Sequence, residues 1–306
     1  MTKSNITHLI LSEGGLKGII YAGVLQYLYI ENLLENIKYI AGTSIGAFFA
    51  FLFALKFPIE NIQEFLYKVI KNIEDEKDGV IYHQTFSNLF MKNGIVTLDF
   101  LFTDIITYLK TNFGCEDMSF IDFVKRTGVN LYISTTNVNT GNMQMFCLEN
   151  TPNAMVLNAI KASMSIPFLF EPIEINGELY FDGCVSSSLS LLNVFQDVPA
   201  KQKLEILLNS IEDEKDEEEI YQNNDFLSHI TKVFQTLYVN HFNKPISIKK
   251  ENVILFENIP YSEILKFHIT NNKIHFDITT EDYDKLVLTG FKGASDFFQN
   301  VPKNNI

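Results

Sequence analysis

The chain has 306 residues, of which 46% are hydrophobic and 13% aromatic, so it can bury a large core and does not belong to the intrinsically disordered class. Its formal net charge is −13, but two acidic segments, residues 212–219 and 74–78, supply −6 and −3 of it and leave −4 for the rest. Nucleic acids and anionic membranes bind proteins through basic faces, so we expect no nucleic-acid partner and no electrostatic docking on membranes.

The cysteines and the apolar segments indicate the compartment. Cys115, Cys147 and Cys184 lie far apart without CxxC spacing, so we expect reduced thiols and not a disulfide framework. The first eight residues lack the continuous apolar run of a signal peptide, and the most apolar predicted helix, residues 47–55, is too short to span a bilayer. We therefore expect a cytoplasmic protein and leave peripheral association with membranes open.

A glycine-rich turn follows the first predicted strand. Residues 7–11 predict that strand, Ser12-Glu13-Gly14-Gly15-Leu16-Lys17-Gly18 comes next, and residues 19–34 have helical apolar spacing. Such a turn presents backbone amides at a helix N-terminus, where anions bind. The spacing matches neither GxGxxG nor GxxxxGK[ST], so it is not a nucleotide-binding fingerprint. By itself the loop fits a tight structural turn and an oxyanion or phosphate cradle equally well.

A second strand, turn and helix carry a serine at the turn. Residues 37–41 predict a buried strand and residues 48–57 a buried helix, with the GxSxG pattern of residues 42–46 between them. In this context Ser44 is presented at a sharp turn and at a helix N-terminus, which favours developing negative charge. By itself the pattern also fits an ordinary turn with an N-capping serine.

The rest of the chain alternates between predicted helices and strands, which indicates an α/β fold with three layers, a mainly parallel central sheet flanked by helices. Ser119 and Asp122 form a predicted capping box, Thr151-Pro152 predicts a helix start, and Asn176-Gly177 predicts a hairpin that delivers Asp182 at a strand end. The predicted helices are residues 59–73, 98–113, 119–126, 151–164, 220–242 and 281–298, and the predicted strands are 129–138, 143–148, 171–175, 178–181, 204–208 and 253–256.

Three motifs in this order resemble those of the patatin-like phospholipases. Residues 14–18 look like the GGx[RK]G oxyanion loop of that family, residues 42–46 like its nucleophile elbow, and Asp182-Gly183 like its DG[GA] aspartate. Residues 161–170 are similar to the AS-x-x-x-P stretch that precedes the aspartate. The resemblance covers about residues 7–185. It implies the patatin-like variant of the α/β-hydrolase architecture.

The resemblance also implies a function, that of a lipid acyl hydrolase of the phospholipase A or lipase type. Such an enzyme uses a serine and aspartate dyad without histidine and forms an acyl-enzyme. Its substrate is a phospholipid or neutral-lipid ester, which it reaches by transient contact with a membrane or lipid surface. It needs neither cofactor nor metal. The implied site has Ser44 and Asp182 as catalytic residues, Gly14, Gly15, Leu16 and Ile45 as oxyanion donors, Lys17 and Gly18 as loop support, and Gly42 and Gly46 as elbow glycines.

Departures from the family pattern keep alternatives open. Glu13 stands where many members have a further glycine, Cys184 replaces a glycine or alanine, and residues 186–190 lack the usual Asn and Pro. A catalytically inactive binding protein and an acyltransferase on the same fold are therefore the alternatives. None of the six histidines has metal-ligand spacing, although a conventional triad histidine stays open. A free aspartate has a pKa near ~3.9, so Asp182 needs burial to become a useful base.

The sequence also allows predictions of the domain organisation and of a site for the acyl chain. We predict one domain over residues 1–306, with a catalytic core at 7–195, an extension at 200–306 packed on it, and an acidic loop at 212–219. Two aromatic segments are candidates for an acyl channel or lid, although core packing is the better supported interpretation of both. They are Phe86–Met91 and Phe100–Phe102.

Overall fold

Thirteen strands and seven α-helices occur in the residues that the computed structural model describes, 5–75, 80–81, 94–96, 98–99, 102–186, 190–208, 252–256, 267–270, 273–276 and 278–300. The strands are β1 His8–Leu11, β2 Tyr39–Thr43, β3 Val80–Ile81, β4 Gly94–Val96, β5 Asn130–Asn137, β6 Met143–Phe146, β7 Phe168–Phe170, β8 Ile173–Ile175, β9 Glu178–Asp182, β10 Lys203–Leu208, β11 Val253–Phe256, β12 Phe267–Thr270 and β13 Lys273–Phe276. The helices are α1 Ile20–Ile30, α2 Ile45–Ala54, α3 Ile59–Asp75, α4 Thr103–Phe113, α5 Phe120–Thr127, α6 Val156–Met164 and α7 Thr280–Asn300.

Eight of the strands form one central sheet in the order β11-β10-β1-β2-β5-β9-β8, with β6 also paired to β5. The pairs β11–β10, β10–β1, β1–β2 and β2–β5 are parallel, and the pairs β5–β6, β5–β9 and β9–β8 are antiparallel. This mixed sheet, flanked by helices, confirms the α/β fold class. Two small sheets, β12-β13-β3 and β4-β7, have no counterpart among the sequence predictions.

Strand β5 brings the ends of β2 and β9 together. Thr43 lies opposite Ser134 and Asp182 lies opposite Thr135. Because β6 occupies the other edge of β5 over the same stretch, β2 and β9 must share one edge. Since β2 runs parallel and β9 antiparallel to β5, their carboxyl ends point toward one another. Ser44, which follows β2, and Asp182, which closes β9, are therefore brought to the same point of the sheet.

Both faces of the sheet are covered by apolar side chains. Along β1, Leu9 and Leu11 face the main core, whereas Ile10 faces a smaller cluster on the other side that contains Phe195. Helix α2 lies in the main core and is buried along nearly its whole length, which confirms the predicted buried helix. Burial on both faces explains why β1 reads as a continuous apolar run and not as an alternating one.

Boundaries near the two glycine motifs differ from the sequence prediction. The strand predicted at 37–41 and the helix predicted at 48–57 lie at Tyr39–Thr43 and Ile45–Ala54, so the turn between them shrinks to Ser44. A 3-10 helix over Gly15–Ile19 precedes α1, which ends at Ile30 and not at residue 34. Apolar periodicity defines the interior of an element better than its ends, because caps and tight turns decide the ends.

The predicted helix start at Thr151-Pro152 is wrong, because α6 begins at Val156. Thr151 instead uses its hydroxyl in a turn, in which Oγ1 donates to the Cys147 carbonyl at 3.2 Å. The first turn of α6 is satisfied by a distant side chain, since the Leu157 amide donates to Asp117 Oδ1 at 3.1 Å. The helix predicted from residue 98 likewise begins later, at Thr103.

Two local motifs are confirmed in detail. Ser119 Oγ accepts from the Asp122 amide at 3.2 Å, which is the N-cap half of a capping box, and its hydroxyl donates to Asp122 Oδ2 at 2.8 Å in place of the Ser119 amide. Asn176 and Gly177 both have positive φ, 55° and 82°, in the two-residue turn between β8 and β9. The hairpin therefore delivers Asp182 as predicted.

Several predictions fall wholly or partly outside the described residues. They are the segment at Phe86–Met91, residues 100–101, the acidic loop at 212–219, the helix at 220–242 and most of the acidic segment at 74–78. Phe102 is described and is fully buried in the main core. The single-domain organisation therefore stays a prediction. Cys115, Cys147 and Cys184 are free thiols, and no helix in the described parts is long and apolar enough to cross a bilayer.

Helices α1 and α7 cross with their backbones in contact at two glycines. A methyl group on Gly23 would overlap the Val287 carbonyl, and one on Gly290 would overlap the Ile20 carbonyl. Helix α1 follows directly on the 3-10 helix of the glycine loop, so this crossing fixes α7 against the element that carries the loop.

We expect Gly23→Ala and Gly290→Ala each to lower the free energy of unfolding by ~1–3 kcal/mol, although alanine favours a helix by about 1 kcal/mol, because backbone cannot move aside as a side chain can. Urea denaturation followed by circular dichroism measures this. Leu288→Ala is the control, since Leu288 is 51% exposed on the same helix and should change stability by less than ~0.5 kcal/mol. Wild-type midpoints for both glycine variants would contradict the close crossing.

Candidate active site

The turn at Ser44 is held by close backbone packing. Ser44 has φ 54° and ψ −127°, a conformation that a non-glycine residue adopts only under constraint. A Cβ atom on Gly46 would overlap the carbonyls of Leu11 and Ser12, and one on Gly42 would overlap the Ala47 backbone. Gly46 therefore allows the end of β1 to lie directly against the start of α2, and Gly42 allows the end of β2 to do the same. This is the strand, sharp turn and helix arrangement of a nucleophile elbow.

The backbone of Ser44 is anchored by a second serine. The Ser44 amide donates to Ser163 Oγ at 2.8 Å, and Ser163 Oγ donates to the Ser134 carbonyl at 2.7 Å. Ser163 is completely buried and therefore links α6, the elbow and β5. Sequence reasoning did not assign this role to Ser163, although the residue lies in the motif stretch at 161–170.

Asp182 is completely buried at the end of β9. Its Oδ1 accepts from the Cys184 amide at 2.9 Å. Burial raises the pKa of the Asp182 carboxyl to about 6, and hydrogen bonding from the Ser44 and Cys184 side chains opposes that rise. Oδ2 of Asp182 is buried and makes no hydrogen bond of ordinary geometry within the described residues. The burial that a base role needs is therefore present.

The departures after Asp182 still leave the aspartate supported. One contact from Cys184 comes from its backbone amide and does not depend on the side chain at that position, and the thiol adds a second. Thr136 Oγ1 donates to the Asp182 carbonyl at 2.8 Å and accepts from the Ser186 amide at 3.1 Å. Ser186 thus closes the turn without the Asn and Pro of the family pattern.

The glycine loop lies beside the elbow. Gly15 has φ 52°, and the Lys17 amide donates to the Gly14 carbonyl at 3.0 Å, which begins the 3-10 helix. A Cβ atom on Gly18 would overlap the Ile45 side chain, so this helix packs against the start of α2. No backbone carbonyl in the described parts of the chain accepts from the amides of Gly15, Leu16 or Ile45. These amides remain available to an anion, whereas Lys17 is buried within the loop.

Two further polar atoms are enclosed near the site. Oε2 of Glu13 and Oγ1 of Thr43 are buried without a hydrogen-bond partner among the described residues. Burial raises the pKa of the Glu13 carboxyl to about 8, a bond from its own backbone amide opposes this, and the nearby Asp182 adds to the rise. The site therefore contains two buried carboxyl groups that interact.

His8 does not join this arrangement. His8 begins β1, at the opposite end of the strand from the glycine loop, and its ring stacks on Tyr39 at a centroid distance of 4.5 Å. Among the described residues there is no group of three His, Cys, Asp or Glu side chains that could hold a metal ion. The groups that come together are an alcohol, a carboxyl of raised pKa and unpaired backbone amides. This set is suited to acyl transfer through a serine ester.

Comparisons with known proteins bear on the family to which the chain belongs. A model of the patatin-like phospholipase family matches residues 9–194. Uncharacterized protein R571 of Acanthamoeba polyphaga mimivirus is 29% identical over 187 residues, which are 60% of this chain and 59% of that protein. Probable lipid hydrolase 463L of Invertebrate iridescent virus 6 is 26% identical over 177 residues, 58% of this chain and 59% of that protein.

Two further relatives extend the comparison. Triacylglycerol lipase ptl3 of Schizosaccharomyces pombe is 31% identical over 177 residues, 54% of this chain and 34% of that protein. The chain therefore spans less than two thirds of the length of the three sequence relatives described here. The crystal structure of VipD from Legionella pneumophila superposes with a TM-score of 0.54 at 14% identity and covers 96% of this chain and 67% of that one. That similarity shows a shared fold.

Proposed function

Since the chain belongs to the patatin-like phospholipase family, we propose that it hydrolyses carboxylic esters of lipids with Ser44 as nucleophile and Asp182 as general base. The observation that carries the proposal is the meeting of the carboxyl ends of β2 and β9 along one edge of β5. The names of two relatives, a probable lipid hydrolase and a triacylglycerol lipase, support a lipid ester as substrate. A phospholipid and a neutral lipid both satisfy that description.

In the acylation step, ionised Asp182 takes the proton of the Ser44 hydroxyl while Oγ bonds to the ester carbon. The carbonyl oxygen becomes an oxyanion that accepts hydrogen bonds from the amides of Gly14, Gly15, Leu16 and Ile45. Collapse of this intermediate breaks the bond to the alcohol part of the lipid, which leaves with the proton from Asp182. The product is an ester of Ser44.

Deacylation repeats the sequence with water. Asp182 takes a proton from water as the water oxygen attacks the acyl carbon, and the same amides hold the second oxyanion. The Ser44 oxygen then leaves and recovers the proton, so the fatty acid is released and the dyad returns to its starting state. A single oxyanion donor is typically worth roughly 2.7–4 kcal/mol and a positioned base ~10²–10⁴-fold. The loop amides are therefore as important to the proposal as Asp182.

A fluorophosphonate probe tests the nucleophile directly. We expect stoichiometric labelling of the folded protein and, after digestion and mass spectrometry, an adduct on the peptide that contains Ser44. Ser44→Ala is the matched control and should not be labelled. Labelling of the peptide with Ser163 and Ser165, or no labelling of folded wild-type protein, would overturn the assignment.

The two alternatives give different results in turnover experiments. A catalytically inactive binding protein would cleave esters no faster than its Ser44→Ala variant. An acyltransferase would form a new ester when lysophospholipid or glycerol is added to a labelled lipid, whereas a hydrolase would release free fatty acid in the same mixture. The proposal predicts the latter.

A further inference from the structure

Glu13 is a buried acid that the proposed mechanism does not use. The residue as a whole is only partly buried, but its Oε2 is enclosed and has no hydrogen-bond partner in the described parts of the chain. It is bonded directly to Gly14, the first residue of the loop that would bind the oxyanion.

Burial chiefly favours the protonated form of the Glu13 carboxyl, and the neighbouring titratable groups modify that effect. Asp182 acts on it from β9 as a second acid and disfavours its ionised form. Tyr21 acts from α1, and its own pKa is raised, first by burial and then by Glu13, so it stays a neutral phenol. Its hydroxyl donates to the Ser12 carbonyl at 2.7 Å. Lys17 is the buried cation of the 3-10 helix, and it is not among the groups that shift Glu13.

We propose that Glu13 is a positioning residue whose protonated form keeps the glycine loop receptive to an oxyanion, and that its ionisation at alkaline pH turns the site off. The inference rests on the proposed function. Its geometric basis is the enclosed Oε2 and the direct bond to Gly14. On ionisation the proton passes to solvent and an anion remains beside the loop.

The direction of the effect follows from the charges in the reaction and from the loop amides. During attack, negative charge leaves Asp182 and appears on the oxyanion. A carboxylate at Glu13 repels the oxyanion but also favours proton uptake by Asp182, so these two electrostatic effects oppose each other. The same carboxylate is a tethered anion that adjoins the loop amides through the chain and competes for them. This competition opposes catalysis.

The wild-type profile of kcat/KM against pH should therefore be bell-shaped. It should rise through about pH 6 as Asp182 ionises and fall through about pH 8 as Glu13 ionises. Because the two acids interact, these values belong to the pair. If the ionised form is inactive, kcat/KM falls roughly 20- to 30-fold between about pH 7.5 and about pH 9.5.

Glu13→Gln removes the ionisable group and should reduce that alkaline fall to less than about twofold, while the fall below pH 6 remains. Glu205→Gln is the matched control, since Glu205 is a partly buried glutamate of raised pKa on β10, paired to Lys203 at 3.5 Å. It should keep the wild-type profile. If Glu13→Gln folds poorly, Glu13→Gly makes the same test. An alkaline fall that persists in both Glu13 variants, or a wild-type rate that rises with pH, overturns the inference.

A measurement without substrate separates this inference from the proposed function. Infrared difference spectra of wild-type protein between pH 7 and pH 9.5 should show loss of a protonated carboxyl band, and that band should be missing in Glu13→Gln. If wild-type protein has no ester turnover, the proposed function fails and the band still reports on Glu13. If turnover is present and the band is absent, the function stands and the inference fails.

Discussion

Ser44→Ala is expected to lower kcat/KM for a lipid ester by at least about 10⁴-fold, because no acyl-enzyme can form without the hydroxyl oxygen. The fold should be retained, since the substitution keeps the backbone amide of Ser44 and its hydrogen bond to Ser163 Oγ. A coupled assay of fatty-acid release, together with thermal denaturation, measures both effects.

Two companion variants sharpen this test. Ser44→Gly should be equally inactive but more stable than Ser44→Ala by ~1–3 kcal/mol, because glycine adopts φ 54° and ψ −127° without strain. Ser295→Ala, on α7 and remote from the elbow, should keep wild-type turnover. Residual activity of Ser44→Ala within about tenfold of wild type would refute the nucleophile assignment.

Asp182→Asn is expected to reduce kcat by about 10³-fold while the protein remains folded. The amide cannot take the Ser44 proton, and a positioned base typically supplies ~10²–10⁴-fold. In wild-type protein the rate should fall as the pH drops through about 6, because protonated Asp182 cannot serve as a base. Steady-state kinetics from about pH 5 to about pH 7.5 measures both effects.

The change in stability that we expect for Asp182→Asn is opposite in sign to that of most substitutions of buried polar residues. Burial raises the pKa of Asp182 from 3.8 to about 6, so the folded state disfavours the carboxylate more than the unfolded state does. Folding is thereby weakened as the pH rises from about 4 through about 6, by on the order of 3 kcal/mol at most. The neutral asparagine should therefore match or exceed wild-type stability at pH 7.5, with the difference vanishing near pH 4.

Asp117→Asn is the matched control, because burial also raises the pKa of Asp117 to about 6. Asp117 accepts from the amides of Met118 and Leu157 and so supports the start of α6. By the same linkage, its variant should match or exceed wild-type stability at pH 7.5, but it should keep wild-type turnover, whereas Asp182→Asn should lose it. Equal turnover of Asp182→Asn and wild-type protein would reassign the base.

The local parts of the site were predictable from the sequence, because each is a short motif in a recognisable context. The elbow at Ser44 and the hairpin that ends at Asp182 both follow from turn residues next to apolar strands. The meeting of the two was not predictable from local patterns, because it depends on the pairing of β2 and β9 with β5. The family resemblance supplied that expectation instead.

The features that the sequence did not predict also depend on contacts between residues that are far apart in the chain. The start of α6 was misplaced because Asp117, far away in sequence, satisfies the Leu157 amide. Ser163 was not singled out because a buried serine in an apolar helix carries no signal until its partners, Ser44 and the Ser134 carbonyl, are known. Glu13 was recognised as unusual, but its interaction with Asp182 requires the folded sheet.

The order of the sheet also bears on how the protein is made. Strand β1 has β2 on one side and β10 on the other, and His8 is paired with Lys203, 195 positions later. During translation the glycine loop, Ser44 and Asp182 all leave the ribosome before β10 exists. Until then one edge of β1 is open to pairing with other chains. A polypeptide that stopped where the family match ends, at residue 194, would contain the glycine loop, Ser44 and Asp182 but would lack β10, the strand that pairs with β1.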